Sequence, residues 1–221
     1  MPNRIEGDLG VTGHFSAATM DLPASTVTNA AVSATAHIAR SKIGQTTLAP
    51  FFIPWQAFRV WNAYQTNLPG TPLADDLGLV GGTFGTDSPS IQTEDLKAAG
   101  ATSSYARFCV ALPPEYDDGE TVQIRIHAGM LTNVADTSAT VDLEVYESDK
   151  EAGIGSDICA TAAQSINSLT LASKDFTITA SGLVSGDVLD CRSTTAINDA
   201  ATGTAVKGII GYVALLCDIR A

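Results

Sequence analysis

Apolar and polar residues alternate with a period of two along most of the chain after residue 100, which is the pattern of strands with one buried face. In TVQIRIHAGM the alternation predicts five inward apolar side chains, from Val122 to Met130, and Gln123, Arg125 and His127 facing outward. Similar alternation occurs in ARFCVAL, ATVDLEVYE and LTLASKDFTIT, while GDVLDC predicts a short strand. AVKGIIGYVALLCDI is apolar on both faces, as expected of a central or interface-lining strand. Gly-, Pro- and Asp-rich turns separate these runs, so the pattern predicts an all-β, jelly-roll-like sandwich.

One segment near the start, STVTNAAVSATAHIARSKIGQ, has helical spacing instead. Val27, Ala31, Ala34 and Ile38 fall at i, i+4, i+7 and i+11, which is one face of a helix. The segment predicts a short α-helix over about residues 28–42 whose thin apolar stripe is marginal in water without a surface to lie on. We therefore expect an extended N-terminal docking arm over residues 1–47 and a β-sandwich domain over residues 48–221.

The junction between these parts, LAPFFIPWQAFRVWNAY, holds both tryptophans and three of the seven phenylalanines. Pro50 and Pro54 exclude a helix interior, and an extended strand here would be apolar on both faces. Burying its aromatic rings offsets little more than the entropy of ordering the segment. The segment is therefore expected either to form part of the sandwich or to be held against a neighbouring chain, and both roles stay open.

Charge divides the chain in two. The net charge is −12, yet residues 1–72 carry four basic and three acidic residues, against eight basic and twenty-one acidic in the remainder. No Asp or Glu occurs from Leu22 to Ala74. An acidic chain without a basic face argues against nucleic acid as a partner. The pattern predicts that the acid-free part contacts a partner and the acidic part faces solvent.

Targeting and cysteine signals are sparse. No apolar run approaches the ~20 residues of a membrane helix, and the start MPNRIEGDLG lacks the apolar stretch of a signal peptide. We therefore expect no membrane partner and no export by the general secretory route. Four cysteines without a C-x-x-C motif predict reduced, structural thiols, although pairing of Cys159 with Cys191 stays open.

Motifs for catalysis or metal binding are not evident in the sequence. The three histidines are far apart, and no P-loop, G-x-S-x-G or H-E-x-x-H pattern occurs. EYDDGE is interpreted as a hairpin turn in which Asp118 and Gly119 take positive φ angles, with calcium binding as the alternative. Asp75-Asp76 is likewise interpreted as a turn. The sequence predicts a non-enzyme with no catalytic residues, no metal site and no cofactor.

Several segments resemble virion surface proteins of tailed bacteriophages, in particular capsid decoration (cement) and head-fibre proteins. TVTNAAVSATAHIARSKI resembles their N-terminal segments, and FRVWNAYQTNLPGTPLADDLGLVGGTFGTDSP, RFCVALPPEYDDGETVQIRIHAGM, ADTSATVDLEVYES and ATAAQSINSLTLASKDFTIT resemble their sandwich. The resemblance runs from about Thr26 onward. It implies a homotrimeric jelly roll on the outer capsid surface, made in the host cytoplasm, whose arm binds the major capsid protein.

On this hypothesis the candidate partner-contact residues lie in the arm and the junction. They are Val27, Val32, Ile38, Arg40, Lys42, Phe51, Phe52, Trp55 and Arg59. The alternative is a fibre or adhesin sandwich that binds host glycans, which predicts exposed aromatic rings on a concave face. The clustering of both tryptophans beside the arm counts mildly against this alternative. A glycan-cleaving enzyme would need two carboxylates in a cleft, and no motif supports it.

Overall fold

The structure is a computed structural model that describes residues 48–148, 154–201 and 203–219. The predicted arm, with its helix over about residues 28–42 and the candidates Val27, Val32, Ile38, Arg40 and Lys42, lies outside the described residues. The described residues form twelve β-strands and one 3-10 turn (Trp55–Ala57), and they contain no α-helix. The strands are β1 (Ala49–Phe52), β2 (Arg59–Val60), β3 (Ala63–Asn67), β4 (Gly78–Val80), β5 (Ser90–Gln92), β6 (Gly100–Ala111), β7 (Val122–Met130), β8 (Ser138–Ser148), β9 (Gln164–Ser165), β10 (Ala172–Ile178), β11 (Val188–Asp199) and β12 (Gly208–Cys217).

The strands form two antiparallel sheets, which confirms the predicted jelly-roll-like sandwich. Sheet A has the order β10-β7-β12-β5-β4, with β1 also paired to β12, and sheet B has the order β3-β2-β6-β11-β8-β9. From β5 onward most successive strands belong to opposite sheets, so the chain repeatedly crosses the sandwich. β12 lies between β7 and the pair β1 and β5, which confirms its predicted central position.

The core lies between the sheets and is built from the alternating apolar positions. The inward residues of β7, from Val122 to Met130, are buried, as predicted. Val141, Leu143 and Val145 of β8 are buried as well. LTLASKDFTIT predicts Leu169, Leu171, Phe176 and Ile178 as inward residues. Phe176 and Ile178 are buried, Leu171 is partly buried, and Leu169 is exposed because it precedes β10.

The strand predicted from GDVLDC is not short. β11 runs for 12 residues from Val188 to Asp199 and pairs with β6 along its whole length and with β8 along most of it. The pattern missed its second half because two inward positions there are Ser193 and Thr195. Polar inward residues interrupt the apolar alternation on which the prediction depends.

The aromatic junction is not a single strand. β1 pairs with β12 in sheet A, the chain turns at Trp55–Ala57, and β2 pairs with β6 in sheet B. The Phe58 ring is buried against Phe108, with 4.7 Å between ring centroids. The segment thus forms part of the sandwich, which is one of the two alternatives that the sequence leaves open. It also links the two sheets.

The EYDDGE turn and the four cysteines were also predicted from the sequence. EYDDGE is a turn that connects β6 in one sheet to β7 in the other, so it is not a hairpin. Gly119 has φ +79°, whereas Asp118 does not have a positive φ. The four cysteines are unpaired, with Cys191 and Cys217 buried. Cys159 and Cys191 therefore do not form a disulfide.

Candidate functional site

The outward face of sheet B brings three arginines into one row. Arg59 on β2 lies opposite Arg107 on β6, Arg107 opposite Arg192 on β11, and Arg192 opposite Glu144 on β8. Because paired residues point to the same side of a sheet, these four side chains share one face. Seven Lys and Arg residues occur in the part of the chain that the structure describes, and three of them lie in this row.

Two of the arginines form bidentate or close ion pairs with carboxylates on neighbouring strands. Arg107 donates from Nε to Oδ1 of Asp190 at 2.7 Å and from Nη2 to Oδ2 of the same carboxylate. Arg192 donates from Nε to Oε2 of Glu144 at 2.5 Å, and its Nη2 also contacts that oxygen. These charge-assisted bonds hold both guanidinium planes in fixed orientations.

Aromatic rings pack beside the arginines. The guanidinium carbon of Arg107 lies 5.1 Å from the ring centroid of Tyr64, and that of Arg192 lies 5.4 Å from Trp61 and 5.3 Å from Tyr105. The Trp61 and Tyr105 centroids are 5.0 Å apart. Such cation–π contacts stabilise both partners and keep the rings at the surface.

We name this surface the arginine–aromatic face and define it by its members. They are Arg59, Trp61, Tyr64, Tyr105, Arg107, Glu144, Tyr146, Asp190 and Arg192. A shallow depression of about 260 Å³ opens in it, lined by Trp61, Arg107, Tyr146, Ile154, Asp190 and Arg192. Its lining combines flat apolar rings with oriented donors and acceptors, which are the components of a site for a small polar ligand.

Burial shifts the ionisation of Tyr64, on this face, and of Cys109 beside it. It raises the pKa of the Tyr64 hydroxyl to about 12; a hydrogen bond with Cys109 adds to this increase and the charge of Arg59 opposes it. Burial also raises the pKa of the Cys109 thiol. Tyr64 and Cys109 therefore stay neutral at physiological pH, and the charge of the face comes from its arginines and carboxylates.

A second surface, the aromatic cluster, lies at the edge of sheet A and consists of Phe52, Trp55 and Tyr212. Phe52 is 53% exposed and stacks on Tyr212 with 5.6 Å between ring centroids. Trp55 meets Phe52 edge-on at 6.1 Å and also packs against the buried Phe58. An exposed apolar ring is thus anchored to the core through its neighbours.

The predicted contact residues are divided between these surfaces. Phe52 and Trp55 belong to the aromatic cluster, whereas Arg59 belongs to the arginine–aromatic face. Phe51 is on the inward side of β1 and packs against the core. Their role as contacts to a partner stays a prediction.

Sequence reasoning missed most of the arginine–aromatic face. Trp61 lies in the aromatic junction, whose role the sequence leaves open, and the three tyrosines of the face are far apart along the chain. The outward positions of ARFCVAL include Arg107, which was a usable signal. Its partners Asp190 and Arg192 belong to the strand whose length the pattern underestimated.

A larger groove of about 610 Å³ lies along sheet A, near Val80, Gln92, Leu131 and Ile209. The adjoining glycine-rich loop carries Phe84, whose side chain is fully exposed. No arginine, lysine or aromatic ring lines this groove among the described residues. It therefore offers fewer specific contacts to a polar ligand than the arginine–aromatic face does.

Two further observations concern metal sites and membranes. Within residues 48–148, 154–201 and 203–219, no group of three or more His, Cys, Asp or Glu side chains is arranged to hold a metal ion. In the same ranges no helix has the length and apolarity to cross a membrane.

Comparison with known proteins yields structural likeness alone. No family model and no curated protein matches the chain. Among solved structures, a xylan-binding module (CBM15) is 15% identical, with 79% of this chain and 99% of that chain covered and a TM-score of 0.39. The module TmCBM61 in complex with beta-1,4-galactotriose is 10% identical, with coverages of 61% and 74% and a TM-score of 0.35. A structure of infectious bursal disease virus (Gt strain) is 9% identical, with coverages of 66% and 39% and a TM-score of 0.30. These likenesses concern the β-sandwich fold and carry no argument about ligand or partner.

Proposed function

We propose that the protein is a non-catalytic, glycan-binding β-sandwich whose sugar site is the depression of the arginine–aromatic face. One observation carries the proposal: aromatic rings and charged side chains fixed by mutual ion pairs line the same depression on the outward face of sheet B. The glycan-binding alternative predicts exposed aromatic rings on a concave face. On sheet B the Tyr64 ring is 38% exposed, and the Trp61 and Tyr146 rings are partly exposed.

The chemistry of a sugar ring fits these components. A pyranose has apolar C–H faces that pack on an aromatic ring, and its hydroxyl groups both donate and accept hydrogen bonds. Trp61 provides an apolar surface, while Arg107 donates and Asp190 accepts at the same depression. Their ion pairing fixes the donors and acceptors before the ligand arrives, which lowers the entropy cost of binding.

Binding without cleavage is favoured by the contacts of the carboxylates. Hydrolysis of a glycoside requires one carboxyl group as an acid and a second as a base or nucleophile, both directed at the glycosidic bond. Asp190 and Glu144 are instead each held in an ion pair by an arginine of the face. We therefore assign them to orientation rather than catalysis.

The test is a glycan array with the full chain, followed by titration calorimetry on any glycan retained. Trp61→Ala should weaken binding at least about tenfold, a loss typical of a central aromatic contact. Trp55→Ala, the other tryptophan of the chain, lies in the aromatic cluster and should leave the affinity unchanged. Tyr64→Ala serves as a second probe, since its exposed ring can be removed with little risk to folding.

The proposal fails if no glycan is retained by a folded protein. It also fails if Trp55→Ala and Trp61→Ala reduce binding equally, because the site would then not be on sheet B. Thermal unfolding of each variant separates loss of binding from loss of structure.

A second candidate function is that of a virion decoration protein, homotrimeric and bound to the major capsid protein on the outer capsid surface. The aromatic cluster supports it, because Phe52 exposes an apolar ring where the acid-free N-terminal part joins the sandwich. The sequence resemblance to phage decoration and head-fibre proteins points the same way. Both functions are compatible in one virion protein, since they use different surfaces.

A further inference from the structure

We infer that the glycan bound at the arginine–aromatic face carries carboxylate groups, as a polymer containing uronic acids does. The inference rests on the proposed function and specifies its ligand class. It is carried by the charge of the β2–β6 side of the face, where Arg59 and Arg107 meet one carboxylate partner, Asp190. The chain as a whole has a net charge of −12, so a local excess of positive charge on this side is unusual in this molecule.

Arg59 is the source of the excess. Its Nη1 donates to the backbone carbonyl oxygens of Gln56 at 2.6 Å and Phe58 at 3.1 Å. No ion pair to a carboxylate is formed by Arg59 within the described ranges. Its charge therefore stays uncompensated at the β2 end of the row, next to Arg107.

The other two arginines have N–H donors that their carboxylate partners do not use. A guanidinium has five N–H groups. Arg107 and Arg192 use Nε and Nη2 for their carboxylate partners, which leaves Nη1 of each without a role in those ion pairs. A ligand carboxylate can accept from such donors in the forked geometry that arginine favours.

Neighbouring carboxylates make the electrostatic potential more negative on the β8 side of the face than on the β2–β6 side. Asp142 accepts from the Leu143 N–H, and Asp157 accepts from the N–H groups of Val145 and Cys159, all on the β8 side of the face. On the opposite side, Asp190 is the carboxylate partner of Arg107, and Arg59 has no carboxylate partner among the described residues. A carboxylate of a glycan that occupies the depression is therefore attracted to its β2–β6 side, toward Arg107 and Arg59, rather than to its β8 side.

The experiment compares two polymers with the same backbone, one charged and one neutral. Polygalacturonic acid and its fully methyl-esterified form have the same backbone, and calorimetry with the full chain gives their affinities. We expect the acid to bind at least about tenfold more tightly than the ester. The preference should shrink as salt is raised from about 0.1 M to about 1 M, over which the Debye length falls from about 10 Å to about 3 Å.

Arg59→Gln should remove most of this preference, whereas Arg125→Gln should retain it. Arg125 is a suitable control because it removes the same charge from the outward face of sheet A, where it pairs with Asp175. A preference that survives Arg59→Gln, or is lost equally in both variants, would contradict the assignment to Arg59.

The remaining outcomes separate this inference from the proposed function. Equal affinity for the acid and the ester, or retention of neutral glycans alone, overturns the carboxylate inference and leaves glycan binding intact. Retention of no glycan on the array overturns both. Equally tight binding of polyglutamate also overturns the inference, because it would assign recognition to charge on any polymer.

Discussion

At the scale of single residues, arginine has two different roles in this sandwich. Arg107 and Arg192 combine ion pairs with stacking on aromatic rings, so each is held by several contacts at once. Arg125 instead forms an isolated pair with Asp175, with 2.7 Å for both hydrogen bonds. Isolated surface pairs contribute little to stability, which makes Arg125 the clearer place to measure a single ionic contact.

The first prediction concerns the pH dependence of this pair. The hydrogen bonds from Arg125 lower the pKa of Asp175 below its ordinary value. A lowered pKa in the folded state stabilises the protein above the ordinary pKa near 4, and this contribution is lost as the pH falls through the folded value. Both side chains are more than a third exposed, so the effect is expected to stay below about 1 kcal/mol.

Urea unfolding of the wild type and of Arg125→Gln, measured from pH 6 down to pH 3, checks this prediction. The difference in unfolding free energy should be largest at pH 6 and should narrow below about pH 4. A difference that is the same at every pH would mean that packing of the Arg125 side chain, and not its charge, is responsible.

At the scale of elements, β11 organises sheet B because it pairs with both β6 and β8. Its last residue, Asp199, is buried and ties two loops to the strand end. Oδ1 accepts from the Asp136 N–H at 2.9 Å, and Oδ2 accepts from the Ala98 N–H at 3.3 Å. Ala98 has φ +58°, a conformation that a non-glycine residue rarely adopts without such support.

Asp199→Ala should therefore destabilise the protein by about 1–3 kcal/mol, since the N–H groups of Asp136 and Ala98 both lose a charged acceptor. Asp199→Asn should cost less, because its carbonyl oxygen replaces one acceptor. Asp75→Ala, at an exposed position, is the matched control and should change the stability by less than about 0.5 kcal/mol. Denaturant unfolding measures all three; a near-neutral Asp199→Ala would contradict the proposed tethering of the loops.

The elements also explain how far the sequence predicts this structure. Strands with apolar inward residues, such as β7 and β8, were predicted in position and in orientation. β11 was shortened because Ser193 and Thr195 face inward, and the junction was predicted as one strand although Trp55–Ala57 turns the chain between sheets. Periodicity within a segment does not indicate which polar residues face the core or where the chain turns from one sheet to the other.

The candidate site could not be predicted from the sequence either, but for a different reason. Arg59, Arg107 and Arg192 are separated by dozens of residues and meet through strand pairing alone. Fold class follows from patterns within each strand, whereas a site on a sheet face depends on which strands are neighbours. A single sequence therefore suggests Arg59 as a candidate contact residue but does not associate it with Arg107 or Arg192.

At the scale of the whole molecule, the described core is formed by residues from Ile53 to Cys217. The residues of the arginine–aromatic face and of the aromatic cluster also fall within the sequence from β1 to β12. A fragment of residues 48–221 should therefore fold and unfold in one cooperative transition. It should also retain the glycan affinity of the full chain, because every member of the arginine–aromatic face is present.

The same fragment tests the decoration hypothesis, since it lacks the predicted docking arm of residues 1–47. We expect the full chain to cosediment with expanded capsids and the fragment to be lost from them, while native mass spectrometry reports whether each is trimeric. Full capsid binding by the folded fragment would contradict the docking role of the arm and transfer it to the sandwich. In that case Phe52→Ser, which replaces an exposed apolar ring at low risk to the core, should weaken capsid binding if the aromatic cluster is the contact.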